Sequence, residues 1–183
     1  TMIAKFKRPA RWSVLLALPV VALGLVTLTD AQTKKERADK EIIAEIGKFE
    51  GEVKFDESRP DRPVVSVSFS NENRWRYPAA RQISDEMLKR LGPLKDLETL
   101  DLADSRITDE GLAHLQALTK LRKLSLEGTT ITGSGLRYLK AANNLTELYV
   151  QRADIRDLGL VNLQFFPNLE ILSLGQAGKI TDE

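Results

Sequence analysis

Apolar residues return along this chain at a fixed interval of 24 positions. The hexads LETLDL from Leu97, LRKLSL from Leu121, LTELYV from Leu145 and LEILSL from Leu169 follow one another without drift. Behind them Ile107, Ile131 and Ile155 keep the same spacing, as do Leu112, Leu136 and Leu160, and then Leu115, Leu139 and Leu163. So many apolar positions in register mark tandem copies of one supersecondary unit. Within a hexad the fourth and sixth residues flank a single outward one, which is the alternation of a strand. The following half, seen in Gly111-Leu112, Leu115 and Leu118, has helical spacing. Neither element buries its apolar side alone. Stacking the units predicts an α/β solenoid, with a parallel sheet on the concave side and helices on the convex side. Ser84-Asp85, Thr108-Asp109 and Thr181-Asp182 stand where helices should begin and are expected to cap them.

The pattern reaches upstream of Leu97. Ile83, Leu88, Leu91 and Leu94 precede Ile107, Leu112, Leu115 and Leu118 by 24 positions, and Val64, Val67 and Phe69 form an earlier hexad. Phe69 to Ile83 is 14 residues where Leu102 to Ile107 is five, so the first repeat carries a nine-residue insertion around 71–82. Leu174 to Ile180 is one residue longer than its counterparts. Before the repeats, Thr33 to Phe49 predicts an amphipathic helix. Glu36–Lys40 and Arg37–Glu41 pair at i,i+4, and Ile42, Ile43, Ile46 and Phe49 share a face. Gly51 is its expected stop and Val53–Phe55 an expected strand. Ile42, Ile46, Phe49 and this strand would cover the N-terminal end of the solenoid. At the other end the sequence reaches Glu183 in mid-repeat, and Thr1 stands before Met2; the expectation is an excerpt of a longer protein.

An uncharged run of eighteen residues, 12–29, follows Lys5, Lys7, Arg8 and Arg11. As a helix it would extend roughly 27 Å, close to the hydrocarbon thickness of a bilayer. It has no polar face, so a single N-terminal transmembrane helix is expected. Cleavage as a signal peptide after Thr29-Asp30-Ala31 is the alternative, but the run exceeds a usual signal core and leads straight into another helix. Basic residues lie on both sides, leaving orientation weakly specified; the repeats are expected to be extracytoplasmic, or secreted if cleavage occurs. The organisation expected is a membrane segment over 1–31, a juxtamembrane helix and capping strand over 32–56, and repeats over 57–183.

Charge is unevenly placed. Residues 1–40 hold eight basic and three acidic side chains, leaving 19 basic and 23 acidic in the rest. A mildly acidic folded part argues against nucleic-acid binding, which needs clustered cations. The chain has no cysteine and one histidine, His114, which excludes disulfides, thiolate zinc sites and histidine-rich metal sites. No phosphate loop, nucleophile elbow or paired-carboxylate motif is present. The expectation is a binding module, not an enzyme, without a cofactor; the alternatives are a self-assembling structural repeat protein of the cell envelope and the sensor portion of a longer protein whose catalytic domain lies elsewhere.

The hexads and the I-T-D-x-G-L linkers resemble the leucine-rich repeat family, in the form found in planctomycete-type bacterial proteins. The basic start, apolar span, charged helix and the segment Val53-Lys54-Phe55-Asp56 extend that resemblance over nearly the whole chain. It implies a binding scaffold of unspecified ligand. The chain departs from the linker pattern at Gly133, where Asp is missing, and at Arg156, where Thr is missing; weaker caps are expected there.

A protein or peptide is the expected partner, met by residues pointing outward from the sheet: Thr99, Asp101 and Ala103; Lys123, Ser125 and Glu127; Glu147, Tyr149 and Gln151; Ile171, Ser173 and Gly175. Ser66, Ser68 and Ser70 extend the rows. Tyr149 is the candidate anchor, because aromatic side chains dominate many interfaces. Asp101, Glu127 and Glu147 either bind a cation weakly or are solvated carboxylates beside Lys123 and Arg152. In the insertion, Trp75 and Tyr77 alternate with Arg74 and Arg76, a composition suited equally to capping the solenoid and to binding a partner. Asn144-Leu145-Thr146 matches a glycosylation sequon by accident, since Leu145 is a core position.

Overall fold

The computed structural model describes residues 30–70 and 82–176. Six strands form one sheet in chain order: β1 (Glu52–Phe55), β2 (Val64–Ser68), β3 (Thr99–Asp101), β4 (Lys123–Ser125), β5 (Glu147–Tyr149) and β6 (Ile171–Ser173). From β2 onward every pairing is parallel, and each register step joins residues 24 apart beyond β3. The arrangement is a repeat solenoid. Hydrogen bonds continue the ladder past the short strands, for example from the Asp104 N–H to the Glu127 carbonyl and from the Gly128 N–H to the Gln151 carbonyl. Leu100, Leu124 and Leu148 point inward and are fully buried, as are Leu102 and Leu126. The linker isoleucines Ile83, Ile107, Ile131 and Ile155 close the core from the side.

The convex side differs from expectation. Among its described residues, only α2 (Asp85–Leu91) and the single turn α3 (Asp157–Leu160) are α-helical; Gly111–Leu115, Ser134–Leu139 and Val161–Phe165 are 3-10 turns. A 3-10 turn eclipses residues three apart and rises about 2.0 Å per residue. The leucines at 112, 115 and 118 are spaced by threes, as are those at 88, 91 and 94 in and after α2, so the spacing alone does not select between the two geometries. The more extended backbone lets few residues cross the width of the unit before the next strand.

The start of each convex segment corrects a second expectation. Ser84 makes no side-chain cap to α2. Thr108 contributes a long bond of 3.4 Å from the Gly111 N–H. The aspartates reach across to the following repeat. Asp85 accepts the Thr108 N–H at 2.9 Å and its hydroxyl at 2.8 Å. Asp109 accepts the Thr132 N–H at 2.9 Å, its hydroxyl at 2.7 Å and the Gly135 N–H at 2.6 Å. These are staples between repeats. The next staple would join positions 133 and 156, which hold Gly133 and Arg156. The two departures from the linker pattern are therefore the two ends of one missing contact. In its place Gly133, at φ +90°, approaches Gly159 so closely that a Cβ on Gly133 would stand 2.9 Å from the Gly159 Cα.

Helix α1 (Asp30–Lys48) and the antiparallel strand β1 cover the N-terminal edge. Ile42 and Ile46 are buried, Phe49 and Val53 pack on the same core, and Arg90 pairs with Glu45 to tie α1 to α2. Asp96 braces the same end, bonded by Lys120 at 2.7 Å and Arg59 at 2.9 Å. The expected stop at Gly51 is displaced by one residue. Glu50 takes the left-handed conformation, φ 57°, its N–H bonds the Gly47 carbonyl and the Gly51 N–H bonds the Ile46 carbonyl. That is the six-to-one and five-to-two pattern of a Schellman ending. Gly51 is needed for room instead, because a Cβ there would lie 2.5 Å from the Ile46 side chain.

Among the described residues, no helix is long and apolar enough to cross a membrane. The apolar run 12–29, the inserted loop with Trp75 and Tyr77, and the linker Thr181-Asp182 lie outside them.

Candidate functional site

The sheet sets the candidate residues in two rows. Ser66, Thr99, Lys123, Glu147 and Ile171 are in register in one; Ser68, Asp101, Ser125, Tyr149 and Ser173 are in register in the other. Glu127 and Gln151 stand two residues beyond, on the extended ladder. Thr99, Asp101, Lys123, Glu127, Glu147, Tyr149, Gln151 and Ser173 are half-buried, as side chains standing on a packed sheet should be. Ser125 is a correction: its register points it outward, yet only 9% of it is accessible, and Ala103 is likewise buried. They form the floor of the face.

Three of the residues lock together. Lys123 Nζ lies 2.9 Å from Glu147 Oε2 and 4.8 Å from the centre of the Tyr149 ring. The Tyr149 hydroxyl donates to the same Glu147 oxygen at 3.0 Å. The carboxylate of Glu147 raises the pKa of Lys123, and the ammonium together with the Tyr149 hydroxyl lowers that of Glu147. Both stay charged across neutral pH. Such exposed pairs contribute little to stability, but here they hold the ring in one orientation.

Nearer the N-terminal end, Asp101 Oδ2 accepts the Ser70 hydroxyl at 2.5 Å and the Ser68 hydroxyl at 3.3 Å, while Oδ1 accepts the Ala103 N–H at 3.0 Å. Toward the far edge, Arg152 bridges Glu127 at 3.0 Å and Asp104 at 3.3 Å. The carboxylates are thus held apart by separate partners, and no group of acids among the described residues could hold a metal ion. His114 is exposed on the convex turn, away from the face. Asn144 is exposed, but its amide bonds the Thr119 carbonyl, repeated one unit on between Asn168 and the Asn143 carbonyl. The sequon asparagine serves the stacking of repeats.

One feature escaped the sequence. Asp104, Gly128, Arg152 and Gln176 are 24 apart and all left-handed, with φ from 56° to 65°. This conformation turns the chain out of each strand, and it sets Arg152 back over the acids of the preceding repeats.

No curated protein matches the chain. An internalin from Listeria monocytogenes is structurally similar over 55% of this chain and 34% of its own, at 20% identity and a TM-score of 0.37; this chain spans about a third of that protein. Residues 94–115 and 117–140, which include β3, β4 and the convex turns Gly111–Leu115 and Ser134–Leu139, match the Leucine Rich repeat family.

Proposed function

We propose that this is a protein-interaction domain that receives a protein or peptide on the concave face of its sheet. The observation that carries the reading is the Tyr149 ring, standing fourth of five in an in-register polar row and fixed on one side by Lys123 and Glu147. A rigid aromatic loses little conformational freedom on binding, which is why such residues concentrate binding energy. Ile171, 44% exposed on the next strand, extends the apolar spot. The test places a photo-crosslinking amino acid at Tyr149, or at His114 on the convex turn, in the full chain expressed in its native cells. Adducts from Tyr149 alone support the concave face; adducts from His114 alone would overturn it. Tyr149→Ala should weaken capture of the cross-linked partner by tenfold or more, about 1.4 kcal/mol or above, with an unchanged denaturation midpoint.

We further propose that residues 12–29 hold the repeats at a membrane as a single span, with the repeats on its extracytoplasmic side. Their length and lack of charge support this. Intact mass after fractionation checks it. A membrane-bound product retaining residues 12–29 is expected, whereas a soluble product beginning near Gln32 would mean a secreted binder. A second reading, repeats assembling with one another, draws on the convex side chains Leu158 and Val161, 84% and 59% exposed. Their counterparts one repeat earlier are Ser134 and Arg137. Concentration-dependent mass in sedimentation would favour that reading.

A further inference from the structure

Resting on the concave-face reading, we infer that the face recognises an extended peptide at two points: a cationic side chain at Asp101 and a large apolar side chain beside Tyr149 and Ile171. The charges of the face are compensated unequally. Glu147 has Lys123 and Glu127 has Arg152. Asp101 has neutral donors only, the hydroxyls of Ser68 and Ser70 and the Ala103 N–H, and no salt bridge among the described residues. Lys123, the cation on the adjacent strand, is turned the other way, toward Glu147 and the Tyr149 ring. The result is a half-buried carboxylate fixed by three hydrogen bonds and without a cationic partner among the described residues, open to an incoming charged group. A guanidinium or ammonium suits it, because charge-assisted bonds to a preorganised carboxylate are the strong ones.

The second point lies in the same row. Asp101, Ser125 and Tyr149 are register partners on consecutive strands, so Asp101 and Tyr149 are about 10 Å apart at a strand spacing of about 4.8 Å. Ser125 between them is small and covered, leaving a level floor. A chain crossing the strands in polyproline II conformation returns the same side after three residues, at about 9 Å. The peptide class is therefore one with Arg or Lys and a large apolar residue three positions apart.

A phage-displayed library of random linear dodecamers, selected on the full chain in nanodiscs, tests this. The enriched sequences should carry that pair. A synthetic peptide of the enriched sequence should bind Asp101→Asn about tenfold more weakly than wild type. Replacing its cation with citrulline should weaken binding to wild type to a similar extent, which keeps the test independent of how the variant folds. Peptides that cross-link at position 149 but lack a cation, or bind Asp101→Asn unchanged, would overturn the two-point inference and leave the concave reading standing. Failure to select any peptide, or peptides that cross-link only on the convex side, would overturn both. Binding that emerges only when Arg74, Arg76 and Arg81 are changed to Ser would assign the carboxylate to the chain's own inserted loop, and would also overturn the inference.

Discussion

Asp109→Ala lowers the stability of the repeat domain by about 2–3 kcal/mol, although the residue lies on the rim and touches neither the core nor the concave face. The expectation rests on what its carboxylate holds. It accepts two backbone N–H groups, those of Thr132 and Gly135, and the Thr132 hydroxyl. Gly135 is buried in the first turn of the next convex segment, so removing the acceptor strands a donor where water does not readily replace it. In a solenoid each unit is stabilised by its neighbours, so a lost staple weakens the coupling between two repeats. The carboxylate is partly open to solvent, and the figure is therefore assigned to the stranded N–H groups, with its charge discounted. A pH dependence accompanies it. Burial pushes the Asp109 pKa up, but the bonds from Thr132 and Gly135 outweigh burial and leave it lowered. A carboxyl depressed on folding contributes stability that is full above its unfolded value, about 4, and is lost as pH falls through the folded value. The gap in urea midpoint between wild type and Asp109→Ala should be widest at pH 7 and narrow as pH falls below about 4. A gap that does not narrow there would show that the ionised carboxylate contributes nothing to the staple beyond its acceptor geometry.

The rows of the concave face were legible because two periods coincide. The 24-residue repeat aligns the strands, and alternation within each hexad decides which side every residue faces. Together they place Lys123 beside Glu147 and Tyr149 beside Ser125. Other features were hidden for specific reasons. An Asp before a turn can cap its own segment or bond across to the next, and at Asp85 and Asp109 the cross-repeat bond prevails because the linker of the following repeat brings the Thr108 and Thr132 N–H groups within reach. The left-handed column is visible at Gly128 alone, since Asp104, Arg152 and Gln176 carry no signal for it. Spacing by threes is shared by α2 and by the 3-10 turns, so it does not tell the two kinds of turn apart. The covering of Ser125 depends on the larger residues on either side in its row, which periodicity does not weigh.

Gly133→Asp, which restores the residue found at positions 85 and 109, is expected to destabilise the domain by about 1–3 kcal/mol. Pattern alone argues the opposite, since an Asp here would complete the series of staples. The backbone forbids it. Gly133 has φ +90°, which strains any side chain, and its Cβ would stand 2.9 Å from the Gly159 Cα. Adding Arg156→Thr to supply the other half of the staple should not rescue it, because the obstruction is backbone. Gly159→Ala should be at least as damaging, with its Cβ 2.3 Å from the Thr132 carbonyl oxygen and 2.8 Å from the Gly133 Cα. The two glycines form one contact seen from either side, so the double variant should lose less than the sum of the singles. Urea denaturation measures all four chains, with a lowered midpoint and an unchanged slope expected for each variant. A Gly133→Asp chain more stable than wild type would mean that these repeats can move apart to accept a staple. The close packing of Gly133 on Gly159 would then be a consequence of the missing pair, and not a constraint that keeps it missing.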